Sequence, residues 1–326
     1  MQVRLDKRAR IIDEGGQAYP VDLLRDHTLK QIREKYTDEA GELTLEVGEE
    51  VPDDVVTIGG RVMFLRNTGK LCFTSLQDGF TESSNGERLQ VMLSKALVGE
   101  QALAAWKSDV DLGDFVWVKG FVARSRRGEL SVMATEWKMA SKALRPLPTL
   151  HKELGEETRV RRRYADLVAR EEARQMVRVR AAITRAIRTT LDELGFLEIE
   201  TPILQLVHGG AAARPFNTHL NAFDIGMSLR IALELYLKRA MVGGMDRVYE
   251  MGRVFRNEGI DSNHSAEFTM LEAYMSWGNQ FTIAEVIQQI IVRAADALGG
   301  RQIQTEQGVI DLDGQWEWVH VHPELS

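Results

Sequence analysis

Between Val55 and Trp137 apolar and polar residues alternate in short runs: VVTIGGRVMFLR, LCFTSLQD, RLQVMLS, FVWVKGFVARS and GELSVMATEW. A period of two puts every second side chain on one face, as a half-buried strand requires. Five such runs with Gly-bearing turns, and one helical insert near Ser94 to Trp106, predict a five-stranded barrel of the OB type. The first 54 residues are polar, and DLLRDHTLKQIREKY predicts a helix behind an aspartate cap. ALRPLPTLHKE, with two prolines close together, reads as a linker, and TESSNGE reads as a loop insertion within the barrel. From about Glu157 the spacing turns to helices alternating with strands. In ITRAIRTTLDELGF the apolar Ile183, Ile187, Leu191 and Leu194 recur at helical spacing, which fits a core face and an interface equally. The predicted class is α+β. The expected division is a helical extension (1–54), a barrel (55–145), a linker (146–156) and a mixed helix–sheet domain (157–326).

Two extended runs joined by a polar loop make Arg247 to Tyr274, RVYEMGRVFRNEGIDSNHSAEFTMLEAY, the segment richest in candidate chemistry. Strand–loop–strand patterning with Gly259 in the loop predicts an antiparallel hairpin. Glu250, Val254, Arg256 and Glu258 share one parity, as do Phe268, Met270, Glu272 and Tyr274, while Thr269 and Leu271 point the other way. One open face can therefore carry Arg256, Phe268 and Glu272. A guanidinium grips a phosphate through a two-pronged fork, a ring stacks on a base, and a carboxylate pairs with a cation. On pattern alone, a charged amphipathic hairpin with a solvated face fits as well.

Composition narrows the class. The 326 residues are enough for two domains with real cores. No apolar run is long enough to span a bilayer, so no membrane partner is expected. The single cysteine, Cys72, excludes an internal disulfide and reads as a buried apolar residue in a reducing cytoplasmic setting. The net charge of −7 does not exclude an RNA partner, because binding follows the local patch. The arginine-rich run from Arg159 to Arg188 fits a face for RNA phosphates or a second subunit, and fits a solvated helix with internal Glu–Arg pairs equally.

FRNEGIDSNHSAEF resembles motif 2 of the class II aminoacyl-tRNA synthetases through Phe255, Arg256, Glu258, His264 and Phe268. ELGFLEIETPIL resembles motif 1, with Gly195, Phe196, Glu200 and Pro202 in place. HGGAAARPFNTHLNAFD and LRIALELYLKRAMVGGMDRVYE are similar to the class IIb lysyl-tRNA synthetase core. The resemblance implies an incomplete class II antiparallel-sheet core behind an anticodon-binding barrel. The implied reaction is ATP- and Mg²⁺-dependent attachment of lysine to tRNA(Lys) through lysyl-adenylate, by a homodimer. It assigns Arg256 to the α-phosphate and substrate carboxylate as the catalytic residue, Glu258 to the adenine amino group, His264 to the terminal phosphates and Phe268 to the adenine ring. Gly210, Glu234, Glu272 and Tyr274 become the lysine site. Gly195, Phe196 and Pro202 become the dimer interface. Arg66, Phe73, Gln90 and Glu129 become contacts to a U-rich anticodon.

Leu233, His208 and Ala266 stand where the family pattern has proline, and Asn263 where many members have arginine. Between Phe281 and Ser326 there is no Gly-x-Gly-x-Asp-Arg segment, the third motif of the class, and the metal ligands are expected beyond this sequence. The expectation is therefore that these 326 residues alone aminoacylate poorly. Three other readings stand beside it: a non-catalytic RNA-binding remnant, a paralogue that lysylates a protein or lipid headgroup (against which the barrel counts), and a relict regulatory fold.

Overall fold

The computed structural model describes residues 1–81, 84–148, 154–314 and 316–319. They form two compact units, Met1–Arg178 and Val179–Ser326. Parts of the predicted loop insertion (82–83) and of the predicted linker (149–153), and most of the final VHVHPELS, lie outside the described residues.

The first unit opens with helices α1 (Gln2–Asp13) and α2 (Leu29–Lys35). The cap of α2 is Thr28, not an aspartate: its hydroxyl accepts from the Gln31 N–H, and the Gln31 side chain accepts from the Thr28 N–H. Asp26 instead accepts from the Thr57 N–H at 2.7 Å, which ties the segment to the barrel. The barrel is closed by β1 (Glu50–Thr68), β2 (Leu71–Gln77), β5 (Arg88–Ser94), β6 (Phe115–Arg124) and β7 (Leu130–Ser141), in the order β1-β2-β5-β7-β6. Two short strands, β3 (Phe80–Thr81) and β4 (Ser84–Asn85), form a separate pair in the predicted insertion. The helical insert is two helices, α3 (Lys95–Val98) and α4 (Glu100–Asp109), broken at Gly99, whose φ of +86° a side chain would resist.

Period two decides the barrel core. Val56, Ile58, Val62, Cys72, Leu76, Leu89, Val91, Leu93, Val118, Val122 and Val132 all point inward, and Trp106 packs among them. Burial raises the Cys72 thiol pKa, as expected of an apolar-packed cysteine. Leu29, Ile32 and Tyr36 join the same core, so the first 54 residues belong to the barrel unit rather than to a separate extension, and β1 begins at Glu50. Lys142 lies just past β7 with its side chain 0 % exposed. Its ammonium donates to the Asp109 carbonyl at 2.7 Å, to Asp111 at 2.6 Å and to Asp114 at 2.7 Å. Lys7 of α1 reaches the same Asp111 at 2.7 Å. The arginine-rich run forms α5 (Glu156–Arg161), α6 (Arg163–Ala169) and α7 (Glu171–Glu193). Some of its ion pairs are internal, Arg161 with Glu157, and Arg163 and Arg170 with the buried Asp166, while Arg188 reaches outside the run to Glu198 at 3.0 Å.

In the second unit β8 (Leu197–Glu198) precedes β9 (Leu204–Gln205), β10 (Asn217–Leu220) and β11 (Ile225–Leu229), then α8 (Glu234–Val242). Next come β12 (Arg247–Phe255), β13 (Glu267–Met275), α9 (Gln280–Asp296), β14 (Gln302–Thr305) and β15 (Gly308–Asp311). The predicted hairpin forms: β12 and β13 pair antiparallel from Arg247↔Met275 to Phe255↔Glu267. The short β8 joins β12 in parallel, so the sheet is mixed. One face of the hairpin packs Tyr249, Leu271, Ala273 and Met275 with Ile187, Leu191 and Leu194 of α7 and its exit, and with Val286 and Ile290 of α9. The other packs Val248, Val254, Met270 and Tyr274 against Leu233 and Leu237. Ile187, Leu191 and Leu194 are thus core. So is Phe196, expected at an interface: it is 2 % exposed and lies within the Tyr249 cluster, where an apolar ring gains most from burial. Pro202 is exposed and Gly195 takes a φ of +78° at the turn into β8.

The Lys142 cluster yields a test. Lys142→Met leaves Asp114 buried without its cation and is expected to cost about 3–5 kcal/mol, as removal of one partner of a buried pair does. A urea titration followed by tryptophan fluorescence reads the loss, and an unchanged midpoint would show that the cluster does not hold this end of the barrel.

Candidate active site

The register puts the candidate residues on one face. Val254↔Phe268, Gly252↔Met270, Glu250↔Glu272 and Val248↔Tyr274 face each other across the ladder. The Arg256 N–H donates to the Ala266 carbonyl at 2.9 Å, which extends the same pairing one step. Arg256, Phe268, Glu272 and Tyr274 therefore line one side. The Arg256 guanidinium carbon lies 5.3 Å from the centre of the Phe268 ring, within cation–π range. Its Nε also points at the Ile231 carbonyl, 3.4 Å away.

Glu272 is held by two donors. The Leu233 N–H reaches one carboxylate oxygen at 2.9 Å, and the Tyr274 hydroxyl reaches the other at 2.9 Å. A proline at 233 has no N–H, so this departure from the expected pattern creates a bond rather than loosening the pocket. Burial, the bond to Glu272 and the charges of Glu272 and Glu234 raise the Tyr274 pKa and keep its hydroxyl a donor.

Glu234 opens α8, where a carboxylate complements the helix dipole. Lys238, one turn on, places its ammonium 2.6 Å from Glu234, so the chain itself shows which charge this carboxylate takes. Gly210 closes the cluster. Its φ is +87°, and a Cβ there would stand 2.9 Å from the Glu234 Cβ and 3.0 Å from that of Ala232. Only glycine fits both constraints.

Beneath this face lies a pair that the sequence reading did not single out. Arg230 donates to Glu250 at 2.6 Å, both nearly fully buried, and its guanidinium also reaches the Arg253 and Thr201 carbonyls. Gly252 makes the room, since a Cβ there would lie 2.3 Å from the guanidinium. Glu250 and Glu272 are direct cross-strand neighbours of like charge, an unfavourable pairing that Arg230 offsets. The lone arginine in the apolar run LRIAL was the available signal.

The hairpin loop is set apart. Asp261 accepts from the Asn263 and His264 N–H groups and holds the His264 ring at 2.8 Å. Those contacts, the Asn263 N–H first, lower the Asp261 pKa. His264 and Glu258 are exposed, and among the described residues no hydrogen bond or ion pair joins them to Arg256 or Phe268. No three His, Cys, Asp or Glu residues among those described converge as a metal cradle.

In the barrel, Arg66 pairs directly with Phe73, and Gln90 pairs with Ser131. The Gln90 amide donates to the Ser131 hydroxyl at 2.9 Å, and that hydroxyl donates to the Glu129 carbonyl at 3.0 Å. All four predicted barrel residues thus stand on β1, β2, β5 and the turn into β7, with Glu129 exposed.

A synthetase-type core and a nucleic-acid-type barrel are what these elements define, and comparison with known families agrees. Residues 155–324 match the model of tRNA synthetases class II (D, K and N), and residues 56–140 match the OB-fold nucleic acid binding domain. The chain belongs to the class II tRNA synthetase family of the D, K and N group. It is 55 % identical over 328 residues to a lysine–tRNA ligase of Kineococcus radiotolerans, covering all of this chain and 63 % of that protein. It is 53 % identical to lysine–tRNA ligase 1 of Mycobacterium tuberculosis, covering 62 % of it. A match at 40 % identity covers all of this chain and 28 % of the lysylphosphatidylglycerol biosynthesis bifunctional protein LysX of Rhodococcus jostii. The chain thus spans a little under two thirds of the lysine–tRNA ligases it matches.

Gly210→Ala is expected to cost about 1–3 kcal/mol, because alanine must adopt a left-handed backbone against Glu234. Thermal denaturation checks it; a variant as stable as the parent would mean that the 210 backbone relaxes freely.

Proposed function

We propose that this chain carries the lysine- and ATP-binding part of a lysine–tRNA ligase. The observation that carries the reading is the shared face on which two carboxylates, a phenol and a glycine turn gather beside an arginine–phenylalanine pair. Glu234 and Glu272 suit a diamine-like cation; an acidic amino acid there would meet like charge. Arg256 is placed to draw together the substrate carboxylate and the α-phosphate of ATP. A carboxylate oxygen then attacks that phosphorus, the bond to pyrophosphate breaks, and lysyl-adenylate forms. The arginine gains most as negative charge builds on the phosphoryl oxygens. Phe268 offers its ring to adenine, with Glu258 and His264 reaching the nucleotide only if the loop moves from its Asp261-bound form.

In this reading the barrel from β1 to β7, with Arg66, Phe73, Gln90 and Glu129, holds the anticodon of tRNA(Lys), and 157–326 is the synthetase core. Homodimer formation near Gly195 and Pro202, a requirement for Mg²⁺ and a cytoplasmic setting belong to the same proposal. No Gly-x-Gly-x-Asp-Arg segment occurs in the sequence, so these residues alone are expected to bind the adenylate and to aminoacylate slowly. One second reading has an observation in its favour. The match to LysX covers the whole chain, barrel included, so a barrel does not count against lysine transfer to a lipid headgroup.

Calorimetric titration with lysine, ATP and a non-hydrolysable lysyl-adenylate analogue tests the proposal. The chain should bind the analogue, Arg256→Ala should weaken binding at least about thirtyfold, and Glu272→Gln should weaken lysine more than ATP. Absence of binding to both lysine and the analogue would overturn it. A gel shift with tRNA tests the barrel's share of the proposal.

A further inference from the structure

A bulge in β1 turns an aromatic residue out of the barrel. Val56, Ile58 and Val62 point into the core, and strict alternation would send Phe64 after them. The register instead steps from Val62↔Leu76 to Phe64↔Ser75, so two steps on β1 answer one on β2. Beyond the bulge the parity is reversed: Leu65 packs against the core and Phe64 is 52 % exposed. Exposing a phenylalanine forfeits the gain of its burial, and bulges commonly re-aim a side chain beside a binding site.

The surroundings of Phe64 identify what it meets. Phe64↔Ser75↔Gln90↔Ser131 form one transverse row across β1, β2, β5 and β7. Arg66↔Phe73↔Met92↔Met133 form the next. Phe64 and Phe73 are thus diagonal neighbours on the outer face, about 7–8 Å apart at the backbone and within reach of each other's ligands. Arg66 stands beside both. Exposed Arg126 and Arg127 lie in the β6–β7 turn, at the Ser131 end. Two rings, an arginine beside them and the partly exposed Ser75 and Gln90 along the row form a stacking platform for a single strand, with Ser131 buried beneath its end, and one OB fold takes several nucleotides.

We propose that Phe64 is a second base-stacking residue, holding the nucleotide next to the one at Phe73 in a single-stranded, uridine-rich RNA loop. The proposal rests on the reading of the barrel as an anticodon-binding domain. The experiment measures binding of the full chain to a fluorescently labelled RNA hairpin with a uridine-rich loop, by anisotropy. Phe64→Ala should weaken binding about tenfold, as loss of one stacked base does, and Phe64→Trp should restore it. Phe64 is half solvated, so thermal melting should show both variants folded. If Phe64→Ala binds like the parent while Phe73→Ala is impaired, the second platform is refuted and the anticodon reading stands. If neither variant changes binding, or the parent does not bind, both fall together.

Discussion

The ladder between β12 and β13 is the constraint on which the second unit depends. Nine paired positions commit every side chain on both strands to one of two faces. A slip of one residue would turn Tyr249 and Leu271 toward the site and Glu272 and Arg256 toward α7 and α9. Burial of Tyr249 with Leu191, Phe196 and Val286 opposes that slip, so packing on one face holds the chemistry on the other in place. The candidate site is rigid for a reason located outside it.

The same face gathers carboxylates, which repel each other and resist burial. The fold meets this with donors rather than distance. Arg230 neutralises Glu250, while the Leu233 amide and the Tyr274 hydroxyl hold Glu272 without neutralising it. Glu272 therefore keeps its orientation, as a receptor for a cation must. Lys238 on Glu234 shows how readily this face accepts an ammonium. In the barrel the logic is parallel. The inner face is closed by aliphatic residues, which leaves Arg66, Phe73 and Gln90 on the outer side, and the β1 bulge adds Phe64 to them.

Much of this was legible from spacing. The barrel strands, the hairpin and the common parity of Arg256, Phe268 and Glu272 follow from period-two alternation, because a strand has only two faces. Other features were not legible. The helix start moved from an aspartate to Thr28 because Asp26 found a partner in Thr57, some thirty residues on. Phe196 looked like interface and proved to be core, since a residue's neighbours across a sheet are invisible to its neighbours in sequence. Phe64 looked inward by parity, and only the pairing with β2 revealed the extra residue.

What the sequence determined by itself was periodicity and residue chemistry: which stretches are strands, which faces are apolar, and which side chains can hold a phosphate, a ring or an amine. These are local properties, set by backbone geometry and side-chain type. Tertiary structure alone decided which of those groups meet. The Leu233 amide reaches Glu272 across 39 positions and Arg230 reaches Glu250 across 20, and each bond exists because packed helices and paired strands bring distant residues within 3 Å. Orientation across such gaps depends on register and burial, which no short window of sequence contains.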